Sequence, residues 1–486
     1  RIITLVMERH KDSHMKLTTQ QKSLVQSPTD QKIWLEGMAG SGKTTVGVNR
    51  MQHLLKNGVS AESILVYVPQ RTLAQPYLDA LRKNKKYKGG QVTIHTIGSL
   101  ALKMVEMFWL MISKEAGFKK PGDSPNFLSL ELVQYFMTRA IEPLVDERDY
   151  FNSVRIDRAR LYSQIVDNLN KSAVAGFPIE DIAERLKSAL GGDVEQQYIY
   201  GDAQACALAF RQYCLDHNLL DFSLQVELLM KHLWTKPQPH DFLTGRYKHL
   251  IIDNIEEDNP ASHRLIEDWL ETCESAFIIY DSDAGFRRFL GSDSTNALEL
   301  RSKCDAQATF NQSFVMRDEV EELGKQLAVR LGQEFALDED VNPRPALITE
   351  AHRYHPQMVD WVVEQIDSLV NQYGVSPNEI VVLAPYLSDA LRFGLVEGLK
   401  AKNIVARSHR PSRALRDEPA SRTLLTLARL CHPQWGMPPT DFDVAYALMT
   451  SIQGFDFIRA KLLTEIVYHK GKLHPFANIA EAAQNR

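Results

Sequence analysis

The chain has 486 residues, a formal net charge of −5 at pH 7, 44% hydrophobic residues and 24% charged residues. These values predict a soluble globular protein of about three domains and exclude a low-complexity chain. No membrane span is expected, because the longest apolar run, residues 107–112, is far shorter than a bilayer requires, and no secretory signal is present. Five scattered cysteines argue against a disulfide framework or a Cys-rich metal site and favour a cytoplasmic location.

The first predicted elements are a strand at residues 33–35 and an amphipathic helix after residue 45, and they flank a glycine-rich loop. The loop satisfies G-x-x-x-x-G-K-[ST], the phosphate-binding pattern. Its amides would surround phosphate oxygens, Lys43 would reach the β- and γ-phosphates, and Thr44 would ligate Mg²⁺. The alternative, a glycine-rich turn that binds nothing, does not account for the flanking strand and helix. We therefore predict that ATP and Mg²⁺ bind here. The predicted loop contacts are Gly37, Met38, Ala39, Gly40, Ser41, Gly42, Lys43, Thr44 and Thr45.

Short apolar runs rich in β-branched residues predict further parallel strands with helices between them. These runs are residues 64–68, 92–94, 250–252, 277–280 and 380–383. Between the second and third of them, residues 104–243 are predicted to be almost entirely helical, with a 3.6-residue period at 128–141 and 179–190. The fold class is therefore α/β, with a helical insertion in the first sheet.

Two of the predicted strands end in an acid, Asp253 after one and Asp281 after the other. The carboxyl ends of adjacent parallel strands meet at the crevice where open α/β sheets bind ligands. Each segment alone could be an ordinary buried strand with a terminal carboxylate. Their order behind the phosphate loop instead predicts a nucleotide motor in which Asp253 holds Mg²⁺.

From about residue 17 to residue 429, these motifs resemble a superfamily 1 DNA helicase of the UvrD/Rep/PcrA type. The resemblance implies a P-loop NTPase with RecA-like sheets and helical insertions, and it implies ATP, Mg²⁺ and single-stranded or partly duplex DNA as ligands. Gln21 corresponds to the glutamine that contacts the adenine base. The positions that match DNA-contacting segments of the family are Thr96, Ser99, Phe286 and Arg288. Core packing remains an equal alternative for Phe286 and Phe289.

The implied domains follow the motif order. A tail at 1–15 precedes motor domain 1A at 16–105 and 244–304, which carries insertion 1B at 106–243. An incomplete second motor domain, 2A, is expected at 305–430, with the start of insertion 2B at 431–486. The family's motifs V and VI do not occur in residues 1–486, and two alternatives stay open: a longer product contains them, or they are absent altogether.

The chain departs from the family at positions that act on the γ-phosphate. Asn254 stands where the catalytic Glu is expected, and losing such a base costs ~10²–10⁴-fold in rate. Glu256 shares its side-chain parity and could substitute as the base. Ala284 replaces the motif III glutamine, and Val315 replaces a γ-phosphate arginine, with Arg317 two positions away. Losing an arginine of this kind costs about 10³–10⁵-fold.

The leading interpretation is an ATP-dependent UvrD-like DNA helicase in repair, recombination or defence. The alternative is a catalytically degenerate, ATP- and DNA-binding component of a helicase–nuclease complex, with a nuclease or another protein as its partner. A P-loop kinase or transport ATPase is poorly supported, because no lid or transporter segment is present. The densest basic cluster, residues 82–88, is interpreted as a solvated loop.

Overall fold

The computed structural model describes residues 17–83, 89–191, 194–408, 418–469 and 471–474. The predicted tail at 1–15 and most of the basic cluster at 82–88 lie outside these ranges. The chain divides into two compact units, one that ends at Glu321 and one that begins with Glu322. No helix in the described ranges is both long and apolar enough to cross a membrane.

The first unit is built on a six-stranded, fully parallel sheet in the order β3-β2-β4-β5-β1-β6. Its strands are β1 (Lys32–Gly37), β2 (Ile64–Tyr67), β3 (Thr93–His95), β4 (His249–Ile252), β5 (Ser275–Asp281) and β6 (Ala306–Phe310). Every residue of β2 and β4 is buried, as expected for a parallel sheet that is covered on both faces. The α/β class and the first five strands agree with the sequence prediction.

Alternate residues of β1, β2, β4 and β5 enter two different cores, because side chains point to opposite faces of a sheet. Leu35 and Ile251 belong to the core that includes helix α2, whereas Trp34 and Ile252 belong to the core shared with the inserted helices. The second core is the larger, and it unites the sheet with the insertion.

The helices of the first unit include those between β3 and β4, where the sequence predicts a helical insertion. They are α1 (Thr19–Val25), α2 (Lys43–Lys56), α3 (Gln75–Lys83), α4 (Ile97–Ile112), α5 (Leu130–Glu147), α6 (Arg158–Ala175), α7 (Ile182–Leu190), α8 (Val194–His217), α9 (Phe222–Leu228), α10 (Pro237–Arg246), α11 (Pro260–Leu270) and α12 (Ser294–Glu299). A two-residue strand, Asn126–Phe127, pairs in parallel with Leu219–Leu220 inside the insertion.

The described part of the second unit is mainly helical. Its helices are α13 (Asp318–Arg330, which begins in the first unit), α14 (His355–Asn371), α15 (Asp389–Ala401), α16 (Pro419–Cys431), α17 (Asp441–Ser451) and α18 (Phe457–Val467). Helices α14 and α15 share a small core that includes Val362 and Leu395. The short strands Tyr468–His469 and Lys472–Leu473 form an antiparallel pair.

Two expectations about the second half differ from the structure. Residues 306–310 fall within the range expected for domain 2A, but they form β6, which pairs with β1 and completes the first sheet, with Ile33 opposite Ala306. The predicted strand at 380–383 is wrong, because only Ile380 makes a bridge and the next residues are irregular. A strand needs a neighbour to complete its hydrogen-bond ladder, and the described residues from Glu322 onward form no parallel sheet.

Candidate functional site

The glycine-rich loop joins β1 to the start of α2 at the carboxyl edge of the sheet. Gly40 has φ 75° and Gly42 has φ 83°, a left-handed region that side chains other than glycine rarely adopt. Gly42 is the N-cap of α2, and no side chain caps this end through a hydrogen bond. The first amides of α2, which begin at Lys43, are therefore available to an anion, and the helix dipole favours negative charge there.

Lys43 is only 7% exposed, and its ammonium group lies within the loop. Its Nζ donates to the carbonyls of Gly37 at 2.7 Å and Met38 at 2.6 Å, and it pairs with Asp281 at 3.0 Å. The same Met38 carbonyl accepts the Ser41 hydroxyl at 2.8 Å. The counter-charge of Lys43 is therefore the carboxylate of Asp281.

A second acid lies against the loop. The Ala39 amide donates to Asp283 Oδ2 at 2.9 Å, and the Asp283 amide donates to Asp281 Oδ1 at 2.9 Å. The segment after β5 thus places one carboxylate on the lysine and another on a main-chain donor of the loop. Both donors are groups that the sequence assigned to phosphate.

Gln21 lies beside the phosphate loop, as the sequence predicts for a residue near the nucleotide. Its Nε2 donates to the Ser41 carbonyl at 3.2 Å, and its Oε1 accepts the Thr18 amide at 3.0 Å in the capping box of α1. The buried guanidinium of Arg50 donates to the Val25 carbonyl at 3.1 Å, which ties the end of α1 to α2. The contact between Gln21 and an adenine base stays a prediction.

The Asp253 carboxylate is 1% exposed at the end of β4. Its Oδ2 accepts the Tyr77 hydroxyl at 2.8 Å, whereas Oδ1 is buried and has no partner within the described residues. Burial raises the pKa of Asp253, and the hydroxyls of Tyr77 and Thr44 act in the opposite direction. A buried carboxylate with one oxygen free of hydrogen bonds from the described residues fits the oxygen ligands that Mg²⁺ prefers, and the Thr44 hydroxyl acts on the same carboxylate. Thr44 and Thr45 lie in the first turn of α2.

The half-buried Asn254 and the buried Glu256 follow Asp253 in the chain and bond to each other. Asn254 has φ 60°, a left-handed conformation that asparagine tolerates, and its Nδ2 donates to Glu256 Oε1 at 3.3 Å. Glu256 is fully buried, and its Oε2 accepts the Asp281 amide at 3.0 Å. Burial raises the pKa of the Glu256 carboxyl to about 8. Both of its oxygens therefore have protein partners.

The segment that replaces the arginine-bearing motif lies directly over the loop. The Phe314 amide donates to the Gly40 carbonyl at 2.9 Å, and a Cβ on Gly40 would collide with the side chain of Val315. An apolar side chain therefore stands beside the phosphate loop, at the position where the family places a cation. Arg317 is exposed just before α13.

A cleft of about 590 Å³ lies in the same unit as the phosphate loop. Its walls come from the segment after β2, from α4, α6 and α9, from residues 127–129 just before α5, and from the loops after β4 and β5. The lining includes Pro69, Arg71, Thr96, Ser99, Phe127, Asp167, Lys171, Phe222, Glu257, Arg287 and Phe289. Cationic and aromatic side chains along one groove are typical of single-stranded nucleic acid sites.

Two of the four predicted DNA contacts, Thr96 and Ser99, line this cleft, where each also caps α4 by bonding to the other. Phe286 is 78% exposed and Phe289 is 72% exposed, so the core-packing alternative is wrong for both. Phe289 lines the cleft, whereas Phe286 and the exposed Arg288 are outside the lining.

Glu257 fixes the turn that carries these aromatic residues. Its Oε1 accepts the amides of Gly285 at 2.9 Å and Phe286 at 3.0 Å, and its Oε2 accepts the Arg287 amide at 3.0 Å. The sequence analysis did not identify these Glu257 hydrogen bonds, and it also did not identify Tyr77, Asp283 or Lys171 as site residues. Only Lys171 carried a signal, as a basic residue in the insertion.

The first unit is similar in sequence to known helicases. A family model described as the UvrD/REP helicase N-terminal domain matches residues 17–305. ATP-dependent DNA helicase PcrA of Bacillus subtilis is 20% identical over 275 residues, which cover 56% of this chain and 34% of that protein. An ATP-dependent helicase/nuclease subunit of Staphylococcus aureus is 27% identical over 121 residues, 21% of this chain and 10% of the relative. The chain thus spans about a third of the first relative and a tenth of the second.

Proposed function

This chain belongs to the UvrD/REP helicase family, and from that premise we propose that it binds ATP with Mg²⁺ and associates with single-stranded or partly duplex DNA. The observation that carries the proposal is the intact phosphate loop beside the partnerless Asp253 Oδ1. In this proposal the loop amides and Lys43 hold the triphosphate, while Thr44 and Asp253 hold the metal. Magnesium, when bound, neutralises charge on the β- and γ-phosphates.

We further propose that this polypeptide hydrolyses ATP weakly. The groups that bind phosphate and the groups that stabilise its transfer are different atoms, so one set can persist without the other. Asn254 has no basic oxygen for a water proton, and the carboxyl oxygens of Glu256 are engaged by Asn254 and the Asp281 amide. Val315 supplies no charge to a transferring phosphoryl group.

The first experiment separates binding from turnover. Calorimetry with ATP and Mg²⁺ should show binding to the wild type and loss of binding in Lys43→Ala, because the lysine is the cation of the loop. A DNA-stimulated turnover of about ten per second, the median of known enzymes, would contradict weak hydrolysis. Absence of binding heat would contradict the nucleotide site itself.

The second experiment restores the missing base. Asn254→Glu alone places a non-glycine, non-asparagine side chain at φ 60° and a carboxylate next to Glu256. We therefore pair it with Asn254→Glu/Glu256→Gln, which removes the neighbouring acid. If the double variant gains turnover and Glu256→Gln alone does not, the base is the missing part. If neither gains, the defect lies at Ala284, at Val315 or in the family's motifs V and VI.

The second candidate function is that of an ATP- and DNA-binding component of a cytoplasmic helicase–nuclease complex. The similarity to a helicase/nuclease subunit over 121 residues favours it, as does the loss of catalytic groups. A scaffolding component should retain DNA association when hydrolysis is blocked by Lys43→Ala. DNA affinity and ATP-driven unwinding that disappear together in this variant would instead favour an active helicase.

A further inference from the structure

Tyr77 lies outside every motif that sequence reasoning singled out, yet it contacts the proposed magnesium carboxylate. Tyr77 belongs to α3, and its side chain is completely buried in the core that includes α2. Its hydroxyl donates to Asp253 Oδ2 at 2.8 Å. The bond occupies one carboxylate oxygen and leaves Oδ1 with no partner among the described residues.

Helix α2 has a notch that accommodates this tyrosine. A Cβ on Gly47 would collide with the Tyr77 hydroxyl and would stand 2.8 Å from Ile279 Cδ1. Gly47 is one turn into the helix that begins at Lys43, so the phosphate-loop helix and the tyrosine fit each other directly. The absence of a side chain at Gly47 is what allows the hydroxyl to reach Asp253.

We propose that Tyr77 is a positioning residue that holds Asp253 with its second oxygen turned toward the magnesium site, in the notch that Gly47 leaves open. This inference rests on the proposed function, because it assumes that Asp253 serves the metal. Groups that bond to metal-ligating carboxylates fix their orientation, and losing one costs about 10–100-fold in metal affinity. We expect an effect near the lower end, about tenfold, because Asp253 also keeps its backbone place at the end of β4.

The test compares Tyr77→Phe with Tyr67→Phe. Both tyrosines are buried, and the Tyr67 hydroxyl bonds to Ser262 at 2.8 Å on the other face of the sheet. ATP binding is measured by calorimetry at a series of Mg²⁺ concentrations and in EDTA. Tyr77→Phe should raise the Mg²⁺ concentration that gives half of the Mg²⁺-dependent gain in ATP affinity about tenfold. It should leave ATP binding in EDTA close to that of the wild type. Tyr67→Phe should leave the Mg²⁺ dependence unchanged.

A second variant protects the test against a folding defect. Gly47→Ala keeps the hydroxyl but pushes it away from Asp253, so it should also shift the Mg²⁺ dependence. An unchanged Mg²⁺ dependence in folded Tyr77→Phe would overturn the proposal, as would an equal shift in Tyr67→Phe. If Tyr77→Phe does not fold, Gly47→Ala decides in the same way. A wild type that binds no ATP under any condition would instead refute the proposed function.

Discussion

The buried carboxyl of Glu256 should make the stability of the protein depend on pH. Burial raises its pKa from 4.5 to about 8, so the folded protein keeps a proton that the unfolded chain has already released at neutral pH. Between these two values the folded state binds more protons than the unfolded state, and the free energy of unfolding therefore falls as pH rises. Above about pH 8 this contribution levels off.

Glu256→Gln removes the ionisation and keeps the shape of the side chain. At 1.4 kcal/mol per pH unit, the rise in pKa from 4.5 to about 8 means that the ionised carboxyl costs at most about 5 kcal/mol above pH 8. Glutamine has one acceptor oxygen, so it keeps only one of the two bonds that Glu256 accepts from the Asp281 amide and from Asn254. The loss of the other bond costs about 1 kcal/mol. The variant should therefore be less stable than the wild type near pH 5 and more stable near pH 8.5.

Urea unfolding at pH 5, 7 and 8.5 measures this crossover. Glu257→Gln is the matched control. Glu257 is the next residue in the chain, and its carboxylate accepts three backbone amides. Its loss should destabilise the protein at both ends of the pH range. Parallel stability curves for the wild type and Glu256→Gln would refute the argument that burial holds a proton on this carboxyl.

Three further substitutions test the loop and the cleft. Asp283→Asn should tighten ATP binding about fivefold in calorimetry, because a charged competitor for the Ala39 amide is removed; weaker binding would contradict this competition. Phe289→Ala should weaken single-stranded DNA binding by about 1–3 kcal/mol in fluorescence anisotropy through lost stacking, and an unchanged affinity would exclude stacking there. Lys171→Gln should reduce the slope of log affinity against log salt by about 0.7; an equal slope would show that this lysine contacts no phosphate.

The sequence predicts those parts of the site that are local in the chain. The phosphate loop is one unbroken run between a strand and a helix, and Asp253 directly follows a strand of buried residues, so pattern alone finds them. Tyr77 and Asp283 are different, because each becomes relevant only through a bond to a residue far away in the chain. No periodicity or spacing carries that information.

The same distinction explains the errors in the second half of the chain. Residues 380–383 have the composition of a strand, but a strand is a property of a pair, and composition does not supply the partner. Residues 306–310 form a strand because the exposed edge of β1 offers them a ladder. The motifs therefore predict the first five strands of the first unit. They do not predict where its sheet ends in the chain, because that depends on the pairing of β6 with β1.

One short segment connects the phosphate loop to the cleft. This segment is residues 281–287. Its acidic front, Asp281 and Asp283, bonds to Lys43 and to the Ala39 amide, and Arg287 at its other end lines the cleft. Two consecutive glutamates anchor it, since Glu256 accepts the first amide of this segment and Glu257 accepts the amides of residues 285–287. A phosphate that displaces the acidic front must therefore move, or strain, a segment whose other end forms the cleft wall. If ATP binding alters the affinity for DNA by this route, DNA must alter the affinity for ATP by the same factor.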